Sequence, residues 1–369
     1  RDTNHSPTHY FVSQPKLLQT SKMFVNCNKR KACFTALGFV GFAFFIIFLL
    51  IPAIWRYSPS VQKSMIFLNH DYLPSVQNYS HPEVYGISGT RNFYIDINDN
   101  VTLGAWHILP SDLLKQYKKN DINYELALSH GEPIIIYMHG NSGARLNRLR
   151  IELYKKLRNI NYHVIAVDYR SYGDSTKVDI NETGLVLDAM ETFKWVYVRA
   201  KGAPIFGWGH SLGTGISAHA FSLLEKENIN LNGLILEAPF NKMSEAIREY
   251  STTKIIRYLP WFDYFIIDPV NENDMVFDTE QNLKNTKFPV LILHAKDDTI
   301  LPYHLGVKLY DYIKSYRKNT LTELVLYDAK YGLNHQFICR SKDFEKTIMK
   351  FVEQSLETTA SHRHDRSTY

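Results

Sequence analysis

The sequence predicts an α/β protein: a mostly parallel sheet of eight strands with helices on both faces, preceded by one transmembrane helix. Three observations carry this. Short apolar runs alternate strictly with helical patterns from Pro133 to Leu356, which specifies parallel strands joined by crossover helices. Gly209-His210-Ser211-Leu212-Gly213 joins one such strand to a helix, and its glycines allow a strained turn that pushes the serine out at the strand's C-terminal edge. Ala32 to Trp55 is a stretch of 24 residues without a charge, enough at about 1.5 Å per residue to cross a hydrocarbon core of about 30 Å.

At 369 residues and 45% hydrophobic, the chain can bury one large core. The expected division is a basic tail over 1–31, the transmembrane helix over 32–55, a connector over 56–90, a catalytic domain over 91–357 and a C-terminal tail over 358–369. In the first segment Arg1, Lys16, Lys22, Lys29, Arg30 and Lys31 face only Asp2, and this carries the whole net charge of +5. The rest is neutral, which excludes a nucleic-acid-binding domain. Cations Lys22 and Lys29 to Lys31 on one flank of the apolar stretch, against Arg56 and Lys63 on the other, place the tail in the cytosol and the large domain in a lumenal or extracellular compartment. A cleaved signal peptide fits less well, since its apolar region is shorter and no small-residue cleavage site follows. Asn78, Asn100 and Asn181 head glycosylation sequons. Cys339 is the large domain's single cysteine, so no internal disulfide is expected there; Cys27 and Cys33 flank the membrane boundary as candidate palmitoylation sites. The chain ends without a KDEL-type signal and begins with Arg1, so its true N-terminus is left open.

In the connector, Met65 to Leu68 suit either the bilayer surface or the domain. Asn92 to Ile97 and Val101 to Leu109, joined by the Asn98-Asp99-Asn100 turn, read as an antiparallel hairpin at one edge. Pro133 to Met138 is apolar on both faces and reads as a central strand. Leu146, Leu149, Leu153 and Leu157 then recur at helical spacing, with Arg148, Arg150, Lys155 and Lys156 on other faces. Strand Tyr162 to Val167, helix Glu182 to Arg199, the Ser211 strand and its helix to Leu224 continue the alternation. Strands Leu234 to Glu237, Val290 to His294 and Leu321 to Tyr327, with helices Tyr303 to Tyr316 and Asp343 to Leu356, complete it. Residues 241–286, too long for a simple crossover, read either as an aromatic lid over an apolar substrate or as a packed excursion.

Serine needs a histidine base oriented by a carboxylate, plus donors for the oxyanion of the tetrahedral intermediate. Asp298, in His294-Ala295-Lys296-Asp297-Asp298-Thr299-Ile300-Leu301-Pro302, is the expected acid just past a strand end; Asp297 is its immediate competitor and Glu237 a distant one. His335, in the loop after the last strand, is the expected base. His210 and His139 are expected to be structural. The backbone N–H groups of Leu212 and, in the loop His139-Gly140-Asn141-Ser142-Gly143, of Asn141 are the expected oxyanion donors. The run Asp168 to Ser175 reads as a structural turn whose charges could also shape the pocket. No metal or organic cofactor is required by this chemistry.

Taken together, the motifs HGNSGAR, VDYRSYGDS, GHSLGTG, LEAPF, HAKDDTILP and GLNH resemble those of the α/β-hydrolase domain-containing 12 family of membrane-anchored serine hydrolases, from the membrane helix to about residue 355. The resemblance implies an α/β-hydrolase fold with a small lid after strand 6, the triad Ser211, Asp298 and His335, and a catalytic domain on the lumenal side of the endoplasmic reticulum, with the plasma membrane as another possible site. It implies hydrolysis of lysophosphatidylserine and monoacylglycerols held in a membrane. A protein depalmitoylase and a catalytically silent binding module are the competing functions. The acyltransferase motif of some relatives, H-x4-D at the catalytic histidine, is not matched, because Arg340 stands five residues after His335. His107/Asp112 and His163/Asp168 have that spacing by chance. Oligomeric state is not legible.

Overall fold

The computed structural model describes residues 17–69, 78–116, 122–229 and 231–366, with side chains within these ranges from 31 to 358. Residues 1–16 of the basic tail and the side chain of Cys27 lie outside the described residues. The chain divides into two compact units, 1–57 and 58–369.

In the first unit, helix runs almost without interruption from Leu17 to Tyr57, so the second half of the basic tail is helical too. Lys31–Tyr57 has a mean hydropathy of 2.7 over its most apolar window and its side chains are largely exposed. Bare apolar surface on this scale is what a lipid-facing span presents. Cys33 is exposed there.

The second unit is built on eight strands: β1 Thr90–Asn98, β2 Val101–Ile108, β3 Ile134–Met138, β4 His163–Val167, β5 Ile205–His210, β6 Gly233–Glu237, β7 Val290–Ala295 and β8 Thr322–Tyr327. They lie in the order β1-β2-β4-β3-β5-β6-β7-β8. The β1/β2 hairpin and the β2/β4 pair are antiparallel, and the remaining neighbours are parallel. The connecting helices are α1 Arg148–Asn159, α2 Glu182–Ala200, α3 Leu212–Lys226, α4 His304–Tyr316 and α5 Phe344–Arg366. Every residue of β3, β4, β5, β6 and β7 is buried, as strands covered on both faces must be.

One face carries Tyr137, Trp208 and Leu291 against Leu153 and Leu157 of α1 and Phe344 and Phe351 of α5. On the other, α3 lies so close that a side chain at Gly207 would meet the Phe221 ring at 2.3 Å. Asn147 caps α1, its side chain accepting the Leu149 N–H. Arg150, off the leucine face of α1, is buried all the same, because its guanidinium donates to the carbonyls of Ser142 (2.5 Å) and Ala144 (2.7 Å) in the preceding loop.

The insertion between β6 and β7 contains the short helices Met243–Glu249, Asp268–Glu272 and Thr279–Leu283. Its second half packs inward through Phe262, Val270, Met275 and Phe277, whereas Ile255 and Tyr258 are about four-fifths exposed, at 84% and 78%. It is part packed excursion and part exposed apolar surface. Met65 to Leu68 resolve similarly: Ile66 and Phe67 are buried in the second unit, while Met65 is exposed.

Candidate active site

Ser211 sits where β5 ends and α3 begins, with φ +52° and ψ −118°, a backbone conformation that a residue with a side chain holds only when its surroundings enforce it. Here they do. Its N–H donates to the Glu237 carbonyl at 2.9 Å and its carbonyl accepts from the Thr214 N–H and hydroxyl. A Cβ at Gly213 would lie 2.1 Å from the Met138 carbonyl oxygen, and one at Gly209 would lie 2.4 Å from that of Gly213. The two flanking glycines are therefore demanded by close approach of β5, α3 and β3.

Across the sheet edge, His335 Nδ1 donates to Asp298 Oδ2 at 2.7 Å, with both groups buried. Asp298 Oδ1 accepts the N–H groups of Ile300 and Leu301, and Oδ2 also accepts from His294 Nε2 at 3.2 Å. Burial alone would push the Asp298 carboxyl up, but the bonds from His294 and His335 outweigh it and hold the group well below the usual carboxylate range. Asp297 has different work: its carboxylate accepts the Asn334 N–H at 3.0 Å. Asn334, at φ +44°, accepts in turn from the Thr299 and His335 N–H groups, stitching the histidine loop to the acid loop. His210 Nε2 donates to the His335 carbonyl at 2.9 Å, and burial, followed by the His335 charge, pushes its pKa down to about 3, so it supports the His335 loop as a neutral ring. His210 has the structural role expected of it, whereas sequence reasoning missed the supporting roles of His294 and Asn334; the spacing of His294 four residues before Asp298 was the one available signal.

The loop 139–144 has nearly every carbonyl tied. His139 O accepts from Tyr169 Oη, Gly140 O from His139 Nδ1, and Asn141 O from Tyr172 Oη, while Arg150 holds the carbonyls of Ser142 and Ala144. Among the described residues, the N–H groups of Asn141 and Leu212 have no backbone acceptor. With carbonyls drawn away and donors left over, the loop and the start of α3 can receive an oxyanion. Below the loop, the buried guanidinium of Arg145 bonds Asp168, Asp174 and Asn92 at 2.6 Å each. This resolves the Asp168 to Ser175 run as a structural clamp on the segment that carries Asn141. His107 and His163 pair with each other at 3.0 Å beneath β2 and β4. Among the described residues, no cluster of three His, Cys, Asp or Glu could hold a metal ion.

Residues 131–266 match the serine aminopeptidase S33 family. Lysophosphatidylserine lipase ABHD12 of Rattus norvegicus is 35% identical over 88% of this chain and 80% of its own length. The same lipase of Xenopus tropicalis is 36% identical over 84% and 82%. The chain belongs to the ABHD12 family. Human protein ABHD12B, 35% identical over 79% of this chain and 80% of its own, extends the likeness. The resemblance carried by the motifs is thereby borne out, and the chain is an enzyme of the serine hydrolase class. Among solved structures, Pyrococcus furiosus esterase Pf2001 superposes with a TM-score of 0.55 at 18% identity, covering 78% of this chain and 99% of that one. An α/β hydrolase of Vibrio vulnificus gives 0.56 at 16%, covering 81% and 94%. These show the α/β-hydrolase fold.

In this ABHD12-family chain the distant competitor Glu237 does not touch His335; its carboxyl accepts from Trp208 Nε1 at 3.0 Å. Burial pushes its pKa up to about 7 from an ordinary 4.5. A carboxyl raised in this way holds its proton in the folded chain after the unfolded chain has lost it, so stability declines as pH rises from about 4.5 to about 7, by up to ~3 kcal/mol. Glu237→Gln keeps the neutral shape. We expect it to raise the unfolding midpoint at pH 8 and to leave it unchanged at pH 4; equal shifts at both pH values would contradict the assignment. Of the sequon residues, Asn78 and Asn100 are exposed, whereas Asn181 is half-buried and caps α2, its side chain accepting the Gly184 N–H.

Proposed function

We propose that the chain is a membrane-anchored lipase that hydrolyses the acyl ester of lysophosphatidylserine and of monoacylglycerols through Ser211, His335 and Asp298. The observation that carries this is the buried His335–Asp298 bond of 2.7 Å, on loops at the same C-terminal sheet edge as the Ser211 turn. In the first step Ser211 Oγ attacks the ester carbonyl as His335 Nε2 takes its proton, and Asp298 fixes the ring and stabilises its charge. The carbonyl electrons move onto oxygen, which the N–H groups of Asn141 and Leu212 receive. Collapse expels the glycerol oxygen, to which His335 returns the proton, and leaves Ser211 acylated. Water, deprotonated by His335, then releases the fatty acid and restores the serine.

The substrate class rests on the lysophosphatidylserine lipases to which the chain is similar, and on the lid region, where Ile255, Tyr258 and Tyr264 present exposed apolar surface. Anchoring rests on the apolar helix Lys31–Tyr57. A lumenal catalytic domain in the endoplasmic reticulum rests on the cations before that helix and on exposed Asn78 and Asn100; Lys63 adds little positive charge on the far side, because it pairs with Asp179 at 2.7 Å. In detergent-treated membranes, wild type and Ser211→Ala given lysophosphatidylserine, a monoacylglycerol and a short thioester test the reading. Serine-dependent release of fatty acid from the two esters is expected. Turnover of the thioester alone would replace the lipase with a depalmitoylase, and equal background in both proteins, with the wild type folded, would overturn the lipase reading.

A further inference from the structure

The segment directly after the apolar span in sequence is built into the active site. The helix Pro59–Ile66 and the residues after it touch the loop that carries Asn141 and the insertion that packs against α3. Asn141 Nδ2 donates to the Ile66 carbonyl at 3.2 Å, and Leu68 forms a parallel bridge to Ser142. Gln62, wholly buried, accepts from Asn273 Nδ2 at 2.9 Å. Phe67, also wholly buried, meets the Phe277 ring edge-on at 6.3 Å between centroids. Phe277 in turn packs against the first turn of α3, where a Cβ at Gly215 would lie 2.9 Å from its own. One end of this strap therefore holds the Asn141 loop, and its buried ring bears, through Phe277, on the helix that begins at Leu212.

We propose that residues 62–68 are a positioning strap that sets the spacing between the Asn141 and Leu212 donors. An oxyanion hole works only if its donors are fixed before the charge develops, and a shift of about 1 Å in a positioned group costs catalysis on the order of 10²-fold. The other ties on the loop, from Tyr169, Tyr172 and Arg150, fix its carbonyls; the strap reaches both the loop and the insertion that backs α3. The strap touches no substrate. It acts through the oxyanion donors, and so rests on the hydrolase reading above.

The test uses the full-length protein in membranes. Wild type, Phe67→Ala, Phe67→Leu and Asn141→Ala, the last of which keeps its backbone N–H, are titrated with a fluorophosphonate to count reactive serines. Then kcat per titrated site and KM are measured on a soluble short-chain ester, alongside the unfolding temperature. Phe67→Ala and Asn141→Ala are expected to lower kcat per site by roughly 10 to 100-fold with KM within threefold, and Phe67→Leu to recover most of the loss. Unchanged kcat per site in both alanine variants, with only the unfolding temperature reduced, would overturn the strap and leave the hydrolase reading intact. A folded wild type that takes up no fluorophosphonate at Ser211 would remove that reading and the strap together.

Discussion

Asp298→Asn is expected to lower kcat by about 10⁴ with little change in KM. The carboxylate accepts the Nδ1 proton of His335, which leaves Nε2 as the ring's acceptor toward the serine. An asparagine can turn its amide toward Nδ1 and favour the opposite tautomer, with the proton on the nitrogen that must accept. Its oxygen can still receive the N–H groups of Ile300 and Leu301 that Asp298 Oδ1 now holds, so the loop survives. Asp297→Asn is expected to change kcat by less than about tenfold, because that side chain holds only the Asn334 N–H. Steady-state kinetics of the two single variants decide between the neighbouring carboxylates; a larger loss at Asp297 would reverse the assignment. The linkage supplies a second check. A carboxylate held below its ordinary range contributes stability that is present above pH ~4 and lost as the pH falls through the lower folded value. The acid limb of the unfolding curve should flatten in Asp298→Asn.

The second large effect concerns folding. Arg145→Ala is expected to destabilise the domain by about 3–5 kcal/mol, lowering the unfolding temperature by roughly 10 °C. Arg145 is fully buried, and its removal strands Asp168 and Asp174 around an empty space under the loop that carries Asn141. Losing one partner of a buried ion cluster costs far more than the cluster is worth against an apolar replacement. Arg145→Met combined with Asp168→Asn and Asp174→Asn should therefore recover a substantial part of the loss. Thermal unfolding of the single and triple variants measures this; a single variant within about 1 kcal/mol of wild type would show that the cluster is not a clamp.

The strands, their alternation with helices and the turn at Ser211 were legible because each is written in local spacing. Asp298 and His335 were singled out by their places after strand ends and by the chain order expected of a triad, and the structure joins the two at 2.7 Å. The choice between Asp297 and Asp298 rested on motif register, since adjacent carboxylates differ only in what each meets across the loop. The burial of Arg150 was not legible for a related reason, since the loop carbonyls that bury it come into place only in the folded chain. Asn334 and the strap were invisible, because each matters through a partner many residues away, such as Asn334 with Thr299, Gln62 with Asn273 or Ile66 with Asn141. The insertion was left open between lid and packed excursion because it is both: Phe277 is buried and Tyr258 is not.

The central claim is that Ser211 is the nucleophile. The most direct measurement is to label the full-length protein in membranes with a fluorophosphonate and to locate the adduct by mass spectrometry of its peptides. The account predicts one adduct, on the peptide containing Gly209 to Gly213, abolished in Ser211→Ala and slowed by at least about 10³-fold in a His335→Ala variant that retains its fold. An adduct on another serine, or none on a folded wild type, would contradict it.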